Sequence, residues 1–195
     1  MYHNEISYEG LTNVWLTPRW LIDLIGPFDL DPCAADPRPF DIAPLNFTEF
    51  ENGLVLPWDR DDGHHPFVFC NPPYGPHVGK WLDRMAKHDH GIALTFARTE
   101  TKAMQRALEQ ARAVFFFNKR ITFLQGTPPH NPGTTSGGAP SCLLAFGPDA
   151  FARLMRKQLE PYGHVFVRIP NQPCESCGAA AGWHDGNCRR RLHVV

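Results

Sequence analysis

The sequence predicts an α/β domain built on a mostly parallel sheet. Short apolar runs alternate with segments whose apolar residues recur at helical spacing. Turn and cap signals separate the two kinds of segment. At 195 residues the chain is long enough for one compact domain with a sizeable core and a small appendage. A main domain over residues 1–170 and a separate tail over 171–195 follow from where the alternation stops.

Thr17-Pro18 opens the first helix, with Thr as a favoured N-cap and Pro at the first helical position. Trp20, Leu21, Leu24 and Ile25 share a face, and Gly26-Pro27 ends the element. Phe28-Asp29-Leu30 reads as a short strand running into Asp31-Pro32-Cys33-Ala34-Ala35, and the Pro-rich segment 36–46 as loop. Asn46 to Phe50 reads as a second strand, closed by a turn at Glu51-Asn52-Gly53, and Leu54 to Trp58 as an apolar stretch under the loops. Phe67-Val68-Phe69-Cys70 is a strand buried on both faces. Val78, Trp81, Leu82 and Met85 mark a helix, Gly91 to Phe96 a strand, and Met104, Ala107, Leu108 and Ala111 another helix. Ala113 to Phe117 is a strand that Ile121 to Leu124 extends into the sheet. Gly126 to Pro140, crowded with Gly, Pro, Thr and Ser, is a long loop. Ser141 to Phe146 is a strand, Phe151 to Leu159 a helix, and His164 to Ile169 a last strand.

Composition sets outer limits. The net charge of −1 gives weak whole-molecule attraction to nucleic acid, so any such binding needs a local basic patch. No stretch is apolar for long enough to span a bilayer, and Met1 to Glu5 lacks a basic and apolar signal pattern, so a cytoplasmic location is expected. Cys33, Cys70 and Cys142 lie in or beside apolar stretches and read as buried free thiols. His64, His65, His88 and His90 read as surface groups whose spacing gives no metal set.

The chemistry concentrates at Asn71-Pro72-Pro73-Tyr74, on the loop leaving the carboxyl end of a buried strand. In open parallel sheets ligands bind at that edge. Two prolines stiffen the loop and remove backbone donors. An Asn amide oxygen and a free carbonyl beside a Tyr ring make a receptor for a flat ring bearing an amino group, such as an adenine taken out of a stack. Asn-Pro and Pro-Pro are also ordinary turn signals, and Tyr74 as a packing residue is the alternative. The same sheet edge would gather Thr17-Pro18, Asp31-Pro32, Glu51-Asn52 and Arg98-Thr99 into one cleft.

The ordered set Trp15-Leu16-Thr17-Pro18, Phe28-Asp29-Leu30-Asp31-Pro32, Asn52-Gly53-Leu54 with Trp58, and Asn71-Pro72-Pro73-Tyr74 resembles the phage-type DNA N-6-adenine methyltransferases, a Dam-like family. Ala97 to Thr101 and Lys119 to Phe123 resemble that family's second half, so the similarity runs from about Asn13 to Phe146. It implies a Rossmann-like sheet with a reversed edge strand, S-adenosylmethionine as cofactor, double-stranded DNA as partner and a monomer. It implies that Thr17 and Pro18 hold the cofactor's methionine end, aided by the helix dipole. Asp31, Pro32, Cys33 and Ala34 would form the loop the cofactor approaches; the Gly-rich pattern of most methyltransferases is missing, and Asp31 as a turn residue is the alternative. Glu51 or Asn52 would meet the cofactor's adenine, with Asp41 and Glu49 as guesses for the ribose. Asn71, Pro72, Pro73 and Tyr74 would be catalytic, Asn71 also touching the cofactor. Phage origin and a restriction-modification setting are implied by resemblance alone.

Arg98 and Arg120, near predicted strand ends, are candidates for DNA phosphates or for surface ion pairs. In the tail, Cys174 and Cys177 with His184 and Cys188 have the spacing of a small tetrahedral zinc site, with His193 as an alternative ligand. Unbound thiols are the other reading. Arg189, Arg190 and Arg191 beside it either touch phosphate or stay solvated. Competing functions are methylation of an RNA base or a protein amide on the same fold, and a catalytically silent nucleic-acid-binding module.

Overall fold

The computed structural model describes residues 14–126 and 138–168. In chain order the elements are β1 (Trp15–Leu16), α1 (Arg19–Ile25), β2 (Leu30–Asp31), β3 (Leu45–Asn46), β4 (Val68–Cys70), α2 (Val78–His88), β5 (Gly91–Phe96), α3 (Lys102–Gln110), β6 (Ala113–Phe117), β7 (Leu124–Gln125), β8 (Ser141–Phe146), α4 (Pro148–Leu154) and β9 (Gly163–Val167). A 3-10 turn over Lys157–Tyr162 joins the last two.

Seven strands form one sheet in the order β3-β2-β4-β5-β8-β6-β9. β3, β2, β4 and β5 are mutually parallel. β8 is antiparallel to both β5 and β6, and β9 is antiparallel to β6. A reversed strand therefore lies inside the sheet as well as at its edge. Among the described residues no helix lies between β6 and its neighbour β8, in keeping with an antiparallel return.

Strand side chains alternate between two cores. Phe69, Ile92, Leu94, Phe115 and Leu143 face Leu21 and Ile25 of α1 and Leu154 of α4. Val68, Cys70, Ala93, Val114 and Leu144 face Leu82 and Met85 of α2 and Met104 and Ala107 of α3. Burial of both strand faces explains why these runs are apolar throughout rather than alternating. α3 begins at Thr101, whose side chain accepts from the Met104 backbone N–H at 3.3 Å, as an N-cap should.

Most expected elements are present, and the departures have local causes. Thr17 does not cap α1. The cap position is Pro18, without a side-chain cap bond, and the buried Thr17 hydroxyl turns instead toward Asn71. The expected strand from Asn46 to Phe50 shrinks to Leu45–Asn46, because Thr48 and Glu51 bond each other and fold the chain into a turn that leaves Phe50 exposed. Ile121 and Phe123 are buried, yet the segment does not extend the sheet; Leu124–Gln125 pairs with Trp15–Leu16 as a separate ribbon. The expected helix from Phe151 to Leu159 starts earlier, with Pro148 in its first turn, and gives way to the 3-10 turn after Leu154. Most of the Gly126 to Pro140 loop, Ile169 and the tail fall outside the described residues.

Candidate active site

The carboxyl ends of the parallel strands set the site. Asp31 ends β2, Asn46 ends β3, Asn71 follows β4 and Phe96 ends β5. Asn71 is half-buried. Its side-chain Nδ2 donates to Thr17 Oγ1 at 3.2 Å and, at 3.4 Å, to the Trp15 carbonyl. A carbonyl only accepts, so the amide must turn its NH₂ inward. That leaves Oδ1 facing Tyr74, whose hydroxyl donates to it at 3.3 Å. Pro72 is buried and Pro73 exposed.

The Tyr74 ring stacks on Phe96, with centroids 3.9 Å apart and planes 14° from parallel. Burial pushes the Tyr74 hydroxyl above its ordinary value, so it remains a neutral donor. Beside this pair opens a cleft of about 400 Å³, lined among others by Gly75, Val78, Thr95, Arg98 and Thr101. Arg98 is exposed and reaches over the Phe96 ring at 6.0 Å. Arg120, also exposed, lies just beyond the end of β6, which runs in the same sense as β5. Both arginines therefore stand on the Asn71 edge.

On the other side of Asn71 lies the loop after β2. The Cys33 thiol is 3.7 Å from that of Cys70, and burial followed by this contact raises it. The Cys33 backbone N–H donates to Asp31 Oδ1 at 3.1 Å. Asp31 is nevertheless pushed up to about 7, because burial outweighs the hydrogen bond. Ala34 is buried and Pro32 abuts the turn at Gly53. A Cβ added at Gly53 would lie 1.9 Å from the Pro32 carbonyl oxygen, so only glycine permits the approach. Glu51 accepts from the Thr48 backbone N–H at 2.7 Å, and Asn52 Oδ1 accepts from Leu54 N–H at 3.3 Å; both side chains shape this turn.

Thr17, Asn71, Cys33, Asp31, Pro32 and Gly53 thus form a connected set, and Tyr74, Phe96 and Arg98 another, with Asn71 and Tyr74 joining them. Asp41 is exposed and bonded to Arg38, and Glu49 is exposed. Neither stands out as a ligand. Asn46 does: its Oδ1 is buried without a hydrogen-bond partner among the described residues, while its Nδ2 donates to the Ala43 carbonyl at 2.7 Å. It pairs in register with Asp31 on the adjacent strand. Asn46 and Phe96 were legible only as strand residues; that each closes its strand at the ligand edge required the register. Cys174, Cys177, His184 and Cys188 lie outside the described residues.

An α/β sheet that aims an Asn-Pro-Pro-Tyr turn from a central strand into a cleft has the build of an enzyme acting on a planar amine. The DNA N-6-adenine-methyltransferase (Dam) family profile matches residues 7–155, well over half of the chain. The chain belongs to that family and is a DNA adenine N6-methyltransferase. No curated protein and no solved structure matches it significantly. Among the described residues, no helix is long and apolar enough to cross a membrane.

Proposed function

We propose that the enzyme takes its methyl group from S-adenosylmethionine and delivers it to an adenine swung out of duplex DNA at a specific site. When bound, S-adenosylmethionine supplies a methyl group on a positively charged sulfonium, an electrophile that needs no covalent enzyme intermediate. The residues fit such a ligand on a Rossmann-like edge. The orphan acceptor Asn46 Oδ1 suits a ribose hydroxyl. The buried Asp31 carboxyl suits a cationic neighbour. Cys33 and Ala34 leave the backbone approachable, Thr17 and Pro18 flank the methionine end, and Glu51 and Asn52 hold the turn that meets the cofactor's adenine.

The observation that carries the reading is the orientation of the Asn71 amide, with NH₂ held inward by Thr17 and Trp15 and the oxygen turned to Tyr74, which lines the cleft. Asn71 Oδ1 and the Pro72 carbonyl accept the two hydrogens of the target amine. Electron density is thereby localised on nitrogen, and its lone pair is held in line with the methyl. Orientation and preorganised dipoles do the catalytic work. Pro73 stiffens the turn. Tyr74 releases Asn71 Oδ1 and offers its ring face to the base. Arg98 and Arg120 hold backbone phosphates. Cys174, Cys177, His184 and Cys188 hold a structural zinc in a separate tail. The enzyme is a monomer of the cytoplasm, where free thiols such as Cys70 and Cys142 persist.

The test is transfer of labelled methyl to duplex DNA, with N6-methyladenine identified by nucleoside mass spectrometry. Asn71→Ala lowers turnover by at least about 100-fold while cofactor affinity stays within a few-fold. Near-wild-type turnover of that variant removes the assignment.

A further inference from the structure

The imidazoles of His65, His88 and His90 meet on the sheet edge opposite the Asn71 cleft. Spacing along the chain gives no such set, and the fold assembles it. His65 precedes β4, His88 ends α2 and His90 precedes β5. Asp89, at φ 52°, closes α2 and reverses the chain between the last two. One ring nitrogen from each of the three histidines lies within 4.8 Å of the others. His88 is no surface group, since its side chain is only 5% exposed and lies edge-on to Trp58.

The hydrogen bonds assign the protons. His88 Nε2 lies 2.8 Å from the Pro66 carbonyl, which only accepts, so Nε2 donates and Nδ1 holds the lone pair. His90 Nδ1 faces the His65 and Pro66 carbonyls at 2.9 and 3.2 Å, so Nδ1 donates and Nε2 holds the lone pair. Yet His88 Nδ1 is 3.7 Å from Asp59 Oδ1, and His90 Nε2 is 3.0 Å from Asp149 Oδ2. Each of these contacts sets an imidazole nitrogen beside a carboxylate. The three ring centroids lie 4.2, 5.0 and 6.4 Å apart, close enough for one ion to be shared.

We propose that His65, His88 and His90, with Asp59 as a fourth donor, bind a divalent transition metal of the zinc class. Three imidazoles and a carboxylate suit that ion. The carbonyl partners of His88 and His90 supply the outer hydrogen bonds that orient metal-binding imidazoles. Asp59 Oδ1 sits 2.5 Å from His65 Nδ1, a hydrogen-bond contact that opens when both take their places on one ion. Tetrahedral donors around zinc stand about 3.3 Å apart, so the ring nitrogens, now within 4.8 Å, close in by up to about 1.5 Å. His65 and Asp59 are exposed enough to move. The ion is a structural staple, tying the loop before β4 to the end of α2 and the start of β5.

The experiment uses full-length protein without a polyhistidine tag, carrying Cys174→Ser and Cys177→Ser to disable the tail. Titration with Co²⁺ is expected to fill one site per chain, giving d–d bands without a thiolate-to-cobalt charge-transfer band. Adding His65→Gln and His90→Gln weakens Co²⁺ by at least about tenfold. Half-exposed His65→Gln alone serves if the double variant misfolds. Zn²⁺ raises the melting temperature of the parent but not of the His65→Gln protein. Absence of stoichiometric Co²⁺ binding, a thiolate band, or affinity unchanged by His65→Gln overturns the proposal.

Discussion

The side-chain amide of Asn71 donates to the hydroxyl of Thr17 across 3.2 Å, joining residues 54 apart in sequence. The contact fixes which end of the amide turns inward and which faces Tyr74. Thr17→Val keeps the shape and removes the acceptor, leaving only the Trp15 carbonyl at 3.4 Å. We expect kcat to fall about tenfold, the equivalent of about 1.4 kcal/mol, with KM for DNA little changed. Thr17→Ser restores it. Steady-state kinetics with an unaltered kcat for Thr17→Val would show the contact to be incidental.

Tyr74 performs two separable tasks, a hydroxyl on Asn71 and a ring on Phe96. Tyr74→Phe retains the ring and should keep kcat/KM within a few-fold. Tyr74→Ala loses the stacking face, worth roughly 1–3 kcal/mol per base. It should alter the fluorescence change of 2-aminopurine placed at the target. A signal identical to wild type argues against stacking.

Asp31 makes stability depend on pH in a stated direction. Burial raises its carboxyl from 3.8 to about 7. Between those values the folded chain binds more protons than the unfolded one. The stabilisation is therefore complete below the unfolded value and is lost as pH rises to about 7. Asp31→Asn does not titrate, so its melting temperature should gain on wild type between about pH 4 and pH 7. Calorimetry should also show wild-type affinity for S-adenosylmethionine rising through the same range, and the variant flat. Parallel melting profiles for the two proteins contradict the claim.

Gly53 is a steric requirement. In Gly53→Ala the new Cβ meets backbone, 1.9 Å from the Pro32 oxygen, and backbone cannot swing aside like a side chain. A cost of about 1–3 kcal/mol is expected, with weaker cofactor binding because the loop after β2 shifts. Thermal denaturation and calorimetry both unchanged would mean the turn is slack.

Much of this was legible in the residues. Gly91–Phe96, Ala113–Phe117 and Ser141–Phe146 carry continuous apolar runs, and each forms the strand expected at those bounds. Asn71-Pro72-Pro73-Tyr74 announces its place because a buried strand delivers it. Elements fixed by tertiary contact were not legible. Two-residue strands such as Leu45–Asn46 have no period to detect, so the orphan acceptor on Asn46 stayed hidden. Thr17 reads as a helix cap because local chemistry allows it, and a partner far along the chain wins instead. The histidine trio has no sequence spacing at all, since three different elements supply it.

The backward course of β8 has a consequence for how such enzymes diversify. β6 ends and β8 begins on the rim where Asn71 stands, so everything between Phe117 and Ser141 leaves from and returns to that rim. Changes at exposed positions there, such as Asn118, Lys119 and Arg120, leave the ladder pairing β8 with β5 and β6 untouched, whereas the buried Ile121 and Phe123 must stay apolar. A lineage can thus vary the exposed residues on that rim one by one, while the paired strands beneath are inherited unchanged.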